Sequence, residues 1–248
     1  MVLRRRRTYH GDLPGAHQPR VEAQPETYER WRQTTLGSVT QARELEVVFD
    51  LAGPLRDRRL LDVGCGDGIY LVEAARRGAV ASGVDISEAM LIVARRRAAD
   101  AAVAIDLHLG DVQALPFGDD AFDIVFAVTV LCFVSDPQQA VGEMSRVLAP
   151  GGRLVIGDLG KWNTWAAWRR LRSWLGSTTW RHTSFRSARQ LTNLIHGAGL
   201  QPEEIRGAVY YPQQAILAGT IAPIEDRISA VTTLGAAFLA VSAPKPLR

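Results

Sequence analysis

The chain is poor in several residues that would each have marked a class. It has two cysteines among 248 residues, too few for the disulfide framework of a small secreted fold. Lys161 and Lys245 are its only lysines; we read the arginine preference as a base-composition habit without functional content. The longest apolar run, Ile124 to Val134, falls short of the ~20 residues that span a bilayer. No charged stretch followed by an apolar segment opens the chain, which argues against a secretory signal. No cluster of His, Cys, Asp and Glu has metal-ligand spacing. Against these absences stand 47% hydrophobic and 22% charged residues. That composition excludes disorder throughout, and the length suffices for one large core. The expectation is a soluble cytoplasmic protein with free thiols.

Acidic residues are also unevenly spread. None occurs from Leu159 to Pro202, where Lys161, Arg169, Arg170, Arg172, Arg181, Arg186 and Arg189 supply seven positive charges. Arg4 to Arg7 supply four more, without which the net charge of +3 becomes −1. Two basic islands therefore sit on an otherwise neutral to acidic protein. Residues 1–24 join the arginines to Gly11, Pro14, Gly15 and Pro19 without apolar periodicity. They read as a flexible basic tail; an RNA- or membrane-tethering arm is the sharper alternative.

Helical patterning runs from Tyr28 through Val39 to Leu51 and stops at Gly53-Pro54. From Arg59 on, short apolar runs alternate with amphipathic ones. Strands are expected at Leu60–Val63, Ala79–Val84, Val103–Leu109, Phe122–Val128 and Arg153–Asp158. Ser87 can cap one helix, Asp136-Pro137 opens a second that Pro150-Gly151-Gly152 ends, and Ser187 to Gln190 fits a capping box. Val209 to Tyr211 and Ala237 to Val241 look like a closing pair of strands. The alternation implies a parallel sheet covered on both faces by right-handed crossovers. A single domain over 25–248 is expected, with 25–53 as an N-terminal helical cover.

The run Leu60-Leu61-Asp62-Val63-Gly64-Cys65-Gly66-Asp67-Gly68 places G-x-G-x-G between a strand and a helix, where open α/β sheets bind ligands. Glycine permits the sharp turn and lets a ligand approach the backbone. A dinucleotide fingerprint would read G-x-G-x-x-G, but residue 69 is Ile. Asp62 also suits a cation better than a pyrophosphate, so a cofactor with an ammonium and a sulfonium and no phosphate fits. Asp85 ends the second strand, where a carboxylate can accept from ribose hydroxyls. Asp111 follows the third strand, placed for an exocyclic amine with the Val112 amide beside it. Singly each acid could be a turn-former or cap; three at successive strand ends beside a glycine loop point to a site.

With these features the chain resembles the class I S-adenosylmethionine-dependent methyltransferases, in the small-molecule subgroup that includes the ubiquinone and menaquinone methyltransferases. The blocks that carry the resemblance are LLDVGCGDG (60–68), GVDISEAML (83–91), GDVQALPFGDDAFDIVFAVTVL (110–131) and RVLAPGGRLVIGDL (146–159). It implies a Rossmann-like α/β fold: seven strands, mostly parallel, helices on both faces, the last strand antiparallel. It implies S-adenosylmethionine as cofactor, leaving as S-adenosylhomocysteine. Asp62, Gly64, Cys65 and Gly66 would line the methionine moiety, with Val128 beside it. Asp85 would bind the ribose, Ile86 would lie against the adenine, and Asp111 and Val112 would hold it. Tyr28 and Trp31 resemble a Tyr-x-x-Trp opening whose helix lies over the cofactor; simple packing onto the sheet is the alternative. Cys132-Phe133 stand where the subgroup often has histidines, and the N-P-P-Y tetrapeptide of adenine and glutamine amino-methylases is missing.

Five of six tryptophans lie between 162 and 180. The 159–186 segment reads as a lid in which Trp162, Trp165, Trp168 and Arg169 would bind an apolar or aromatic acceptor carrying a negative group. Core packing by those tryptophans, and a basic amphipathic helix at a membrane surface, are the competing readings. His182 and Asp158 are candidate bases; His196 reads as packed in its helix, and His10 and His17 fall in the tail. Neither cysteine reads as a nucleophile. The function expected is methyl transfer to O, N or C of a small, partly apolar, anionic molecule. RNA methylation and non-catalytic cofactor binding are the alternatives.

Overall fold

The computed structural model describes residues 25–174, 183–214, 218 and 224–247. The tail at 1–24, Trp180, Arg181 and His182 lie outside the described residues. Two helices, α1 (Pro25–Arg32) and α2 (Thr35–Ala52), precede the first strand; Thr34 caps α2 by accepting from the Gly37 amide. Then follow β1 (Arg59–Val63), α3 (Ile69–Arg76), β2 (Val80–Asp85), α4 (Glu88–Asp100), β3 (Asp106–Leu109) and β4 (Phe122–Val128). After a 3₁₀ turn at Leu131–Phe133 come α5 (Pro137–Val147), β5 (Leu148–Leu159), α6 (Thr164–Trp174) and α7 (Ala188–Gly197). β6 (Glu204–Ala208), α8 (Glu225–Ser229) and β7 (Phe238–Pro244) complete the order.

The seven strands form one sheet ordered β3-β2-β1-β4-β5-β7-β6. All neighbours up to β5 are parallel; β7 runs antiparallel to both β5 and β6. The expected α/β architecture with an antiparallel last strand is what forms. Successive residues of the central strands point to opposite faces. Leu60, Ile124 and Phe126 join one buried layer with Phe49, Tyr70 and Leu71. Leu61, Val63, Val125 and Ala127 join the other with Val141, Met144, Leu191 and Ile195. Strand order reverses between β1 and β4, which opens a crevice at their carboxyl ends.

The three expected caps form: Ser87, Asp136 and Ser187 each accept from a backbone amide of the following turn, and Ser187 with Gln190 makes the full capping box. Several boundaries differ from expectation, beginning with the helical run from Tyr28 to Leu51, which Thr34 breaks into α1 and α2 by capping the second. β3 begins at Asp106 because Val103 is consumed in closing α4, its amide donating to Ala98 O at 3.1 Å. β5 begins at Leu148 and runs through the Pro-Gly-Gly, and α5 stops at Val147. Lys245 drives this: its Nζ donates to Ser145 O (2.9 Å) and Leu148 O (2.6 Å) and pairs with Asp120, while its backbone pairs with Gly151 and Gly152. The strand expected at Val209–Tyr211 lies instead at Glu204–Ala208. Val209 has a left-handed φ of 60°, costly for a β-branched residue. It turns the chain so that Tyr211 is fully buried with its hydroxyl 3.0 Å from Thr40 Oγ1.

Candidate active site

The glycine loop crosses from β1 to α3 in left-handed conformations, with φ of 71°, 53° and 79° at Gly64, Gly66 and Gly68. Two of the three are confined by neighbours. A Cβ at Gly64 would come within 2.6 Å of Val130 Cβ, and one at Gly68 within 2.8 Å of Ala94 Cβ. At Gly66 it would meet nothing within 4 Å, so the middle of the loop faces open space a ligand can enter. Gly83 in β2 is a further requirement: a Cβ there would lie 2.7 Å from Leu71 and 2.9 Å from Cys65 Sγ.

Asp62 is the penultimate residue of β1, 2% exposed, and its Oδ2 has no hydrogen-bond partner among the described residues. Burial, with the charge of Asp85 adding to it, pushes its carboxyl up to about 7. A buried carboxylate without a donor is a costly arrangement, and an ammonium group is the chemistry that would relieve it. Asp85 ends β2 and ties loop to strand: Oδ2 accepts from Gly66 N and Oδ1 from Ser87 N, both at 2.8 Å. Burial raises its carboxyl, against the lowering effect of these amides. Each oxygen keeps lone-pair capacity for a further donor, so hydroxyls of a ribose fit here. Ile86 follows it at the start of the α4 turn and is half-buried. Asp111 Oδ1 accepts from Gln113 N at 2.9 Å, an Asx turn, while Oδ2 has only a 3.4 Å contact from Gln113 Nε2. Val112 beside it is buried, as is Val128 at the end of β4. The strand ends thus bring Asp62, Asp85, Asp111 and the glycine loop to one edge of the sheet, and the residues fit a cofactor with an ammonium and a ribose.

Both thiols are buried and inert. Burial pushes Cys65 and Cys132 well above the ordinary thiol range, and Cys132 Sγ donates to Thr129 O at 3.3 Å. Asp158 is also unsuited as a base: it is fully buried and paired with Arg186 Nη1 at 2.7 Å. His196, expected to pack within its helix, is exposed in the last turn of α7, whose buried face is carried by Leu191 and Ile195.

The cover is clamped by charges that no local pattern announced. Asp67 of the glycine loop is buried and pairs with Arg32 of α1 and with Arg97 of α4, the latter at 3.0 Å. Arg97 also reaches Glu29 of α1 at 3.0 Å. Trp31 packs against the core, whereas the Tyr28 ring is partly exposed. Burial raises the Tyr28 phenol, and Arg169 and Arg32 act to lower it. So α1 does lie over the loop, bringing Tyr28 to Arg169.

The lid helix α6 does not gather its tryptophans into one wall. Trp165 is buried, donating from Nε1 to Tyr211 O at 2.7 Å, so for this residue the packing reading holds. Trp162 and Trp168 are 60% and 49% exposed. Arg169 turns inward, its guanidinium 5.3 Å from the Trp165 ring, and the Glu44 carboxylate lies within electrostatic reach of it. Glu44 of α2 was not singled out by the sequence; its nearest local signal is only a helical position facing the sheet.

Comparison with known proteins agrees with this geometry. The methyltransferase domain family matches residues 61–156. A ubiquinone biosynthesis O-methyltransferase of Cereibacter sphaeroides is 31% identical over 186 residues, covering 71% of this chain and 74% of the relative. One from Coxiella burnetii is 28% identical over 163 residues, covering 64% and 70%. A solved S-adenosylmethionine-dependent methyltransferase from Thermotoga maritima superposes with a TM-score of 0.67 at 25% identity, covering 89% of this chain and 95% of its own. Geranyl diphosphate C-methyltransferase from Streptomyces coelicolor, solved with S-adenosyl-L-homocysteine, shares the fold at TM-score 0.61 and 20% identity, covering 82% and 78%. The chain belongs to the class I S-adenosylmethionine-dependent methyltransferases. It is a small-molecule methyltransferase that takes S-adenosylmethionine as cofactor.

Proposed function

We propose that this enzyme methylates a hydroxyl oxygen on a small, partly apolar acceptor that carries a negative group. The observation that carries the cofactor half is the orphaned Asp62 carboxylate under a glycine loop held by Asp85. When bound, S-adenosylmethionine supplies a methyl group on an already activated sulfonium. In this reading Asp62, Gly64, Cys65 and Gly66 hold the methionine end with Val128 beside it. Asp85 holds the ribose, and Ile86, Asp111 and Val112 hold the adenine. Tyr28 and Trp31 close over it.

The acceptor half rests on Arg169, an inward-turned cation on a lid segment that carries no acid from Leu159 to Pro202. Oxygen is preferred over nitrogen and carbon because the C. sphaeroides and C. burnetii relatives bear an O-methyltransferase name. The catalytic unit is a single domain over 25–248, with 25–53 as cover and 159–186 as lid. It works in the cytoplasm, its two thiols free and buried. None of the described helices is long and apolar enough to cross a membrane. Trp162, Trp168 and Leu171 are instead exposed beside Arg170 and Arg172, which favours peripheral contact with a membrane surface as the route to an apolar acceptor.

In-line positioning supplies most of the rate in such a transfer, and fixed geometry can remove roughly 7–11 kcal/mol of barrier. The test is calorimetry with S-adenosylhomocysteine on wild type and Asp85→Ala, followed by labelled methyl transfer to a fractionated metabolite extract. Micromolar binding lost in the variant, and label in an anionic apolar fraction, are expected. A wild type that binds no S-adenosylhomocysteine would sink the reading, and label confined to nucleic acid would redirect it.

A further inference from the structure

Glu44 is a buried carboxylate that holds no salt bridge among the described residues. It projects from α2 into a meeting point of four elements. Tyr70 of α3 donates to its Oε2 at 3.4 Å, and Gln41 Nε2 lies 3.4 Å from the same Tyr70 hydroxyl. Arg169 of α6 and Arg32 of α1 face it with positive charge. Tyr211, after β6, is within reach of its charge as well. Tyr70 in turn lies within electrostatic reach of Asp62, the carboxylate assigned to the methionine end. Among the described residues Oε1 receives no hydrogen bond, and no salt bridge engages the group.

We infer that Glu44 is the proton acceptor for the substrate hydroxyl, aimed by Tyr70, with Arg169 holding the substrate's anionic group beside it. The inference rests on the reading of O-methyl transfer given above. The acceptor oxygen passes its proton to the Glu44 carboxylate and its electron pair to the methyl carbon. The methyl–sulfur bond breaks with both electrons going to sulfur, which leaves neutral S-adenosylhomocysteine and a methyl ether. The single positive charge of the sulfonium is cancelled as the carboxylate becomes a carboxylic acid, so charge is conserved. Burial pushes the Glu44 carboxyl up to about 7, with Arg169, the Tyr70 hydrogen bond and Arg32 pulling the other way. A base poised near neutral pH is suited to accepting a proton from a hydroxyl and releasing it afterwards. Among the described residues the rival groups are spoken for: Asp158 is locked to Arg186, and both thiols are buried and protonated.

The test uses the purified full-length chain with S-adenosylmethionine and two probe acceptors, 3,4-dihydroxybenzoate and 4-hexylcatechol, from pH 5.5 to 9.5. Wild type should form methyl ethers with kcat falling on the acid side as Glu44 takes up a proton. Glu44→Gln should lower kcat by about 10²- to 10⁴-fold and erase that acid limb. Its affinity for S-adenosylhomocysteine should stay near wild type, and its melting temperature at pH 8 should not fall, because the substitution removes a buried charge. Glu44→Asp should recover part of the rate, and it carries the test through its pH profile if the glutamine variant does not fold. Glu44→Gln with unchanged kcat and an unchanged acid limb overturns the role of Glu44 alone. A wild type that binds S-adenosylhomocysteine yet methylates neither probe overturns the hydroxyl-acceptor basis, and one that binds none overturns the methyltransferase reading itself.

Discussion

Replacing Asp62 by asparagine should strengthen the empty protein while weakening its hold on the cofactor. In the folded chain the Asp62 carboxyl titrates near 7 instead of its ordinary 3.8, because it is buried and faces Asp85. Keeping it ionised at pH 8 therefore costs roughly 4 kcal/mol relative to the unfolded chain. The sign follows from the raised value: ionisation opposes folding, and the penalty grows as pH rises from about 4 through 7, then levels off. Asparagine removes the charge but leaves a neutral amide short of partners, a penalty of about 1–3 kcal/mol. The net gain at pH 8 is roughly 1–3 kcal/mol, or about 2–10 °C in melting temperature for a chain of this size. Near pH 5 the gain should vanish. Binding should move the opposite way, since a hydrogen bond to a charged group contributes about 1.5–3 kcal/mol, and S-adenosylhomocysteine should bind roughly 10- to 150-fold more weakly. Thermal melts at pH 5 and 8 with and without ligand read both effects. A variant that melts lower at pH 8, or that binds as tightly as wild type, would refute the reasoning.

Other perturbations test other parts of the frame. Gly64→Ala should destabilise by about 1–3 kcal/mol in a urea melt, because its Cβ would strike Val130 from a left-handed backbone. Gly118→Ala, which meets nothing within 4 Å, should change little. Arg186→Ala should cost about 3–5 kcal/mol at pH 8 by stranding the buried Asp158 charge, and less at pH 5, where Asp158 can take up a proton. Arg97→Ala should unclamp α1 from Asp67 and Glu29, seen as amide exchange about three- to tenfold faster in residues 25–32 with the sheet unchanged; equal exchange would mean the clamp does not hold the cover.

These outcomes separate two kinds of information. The glycine loop, the acids at the strand ends, the three helix caps and the period-2 strands depend on a few contiguous residues, so they could be read along the chain. Backbone sterics and capping chemistry act over one to four positions, and Gly64, Asp85, Ser87, Asp136 and Ser187 carry their meaning locally. Burial on both faces of a parallel sheet likewise leaves its mark as the apolar runs of β1 and β4. Local patterning did not reach the places where distant residues compete for the same backbone. Lys245 decides where β5 begins, and Val209 turns the chain so that Tyr211 fills the core instead of extending a strand.

The site divides the same way. That Asp62 precedes a cofactor loop is evident in the order of residues; that its Oδ2 is left without a donor is a property of the packed interior. Asp67 reads as a loop residue until α1 and α4 bring Arg32 and Arg97 onto it. Glu44, Tyr70 and Arg169 lie on three helices far apart in sequence, and only the folding of α2, α3 and α6 against one edge of the sheet brings their charges within reach of each other. Electrostatic work depends on separation in space and on exclusion of water, neither of which is written in the spacing of residues along a chain.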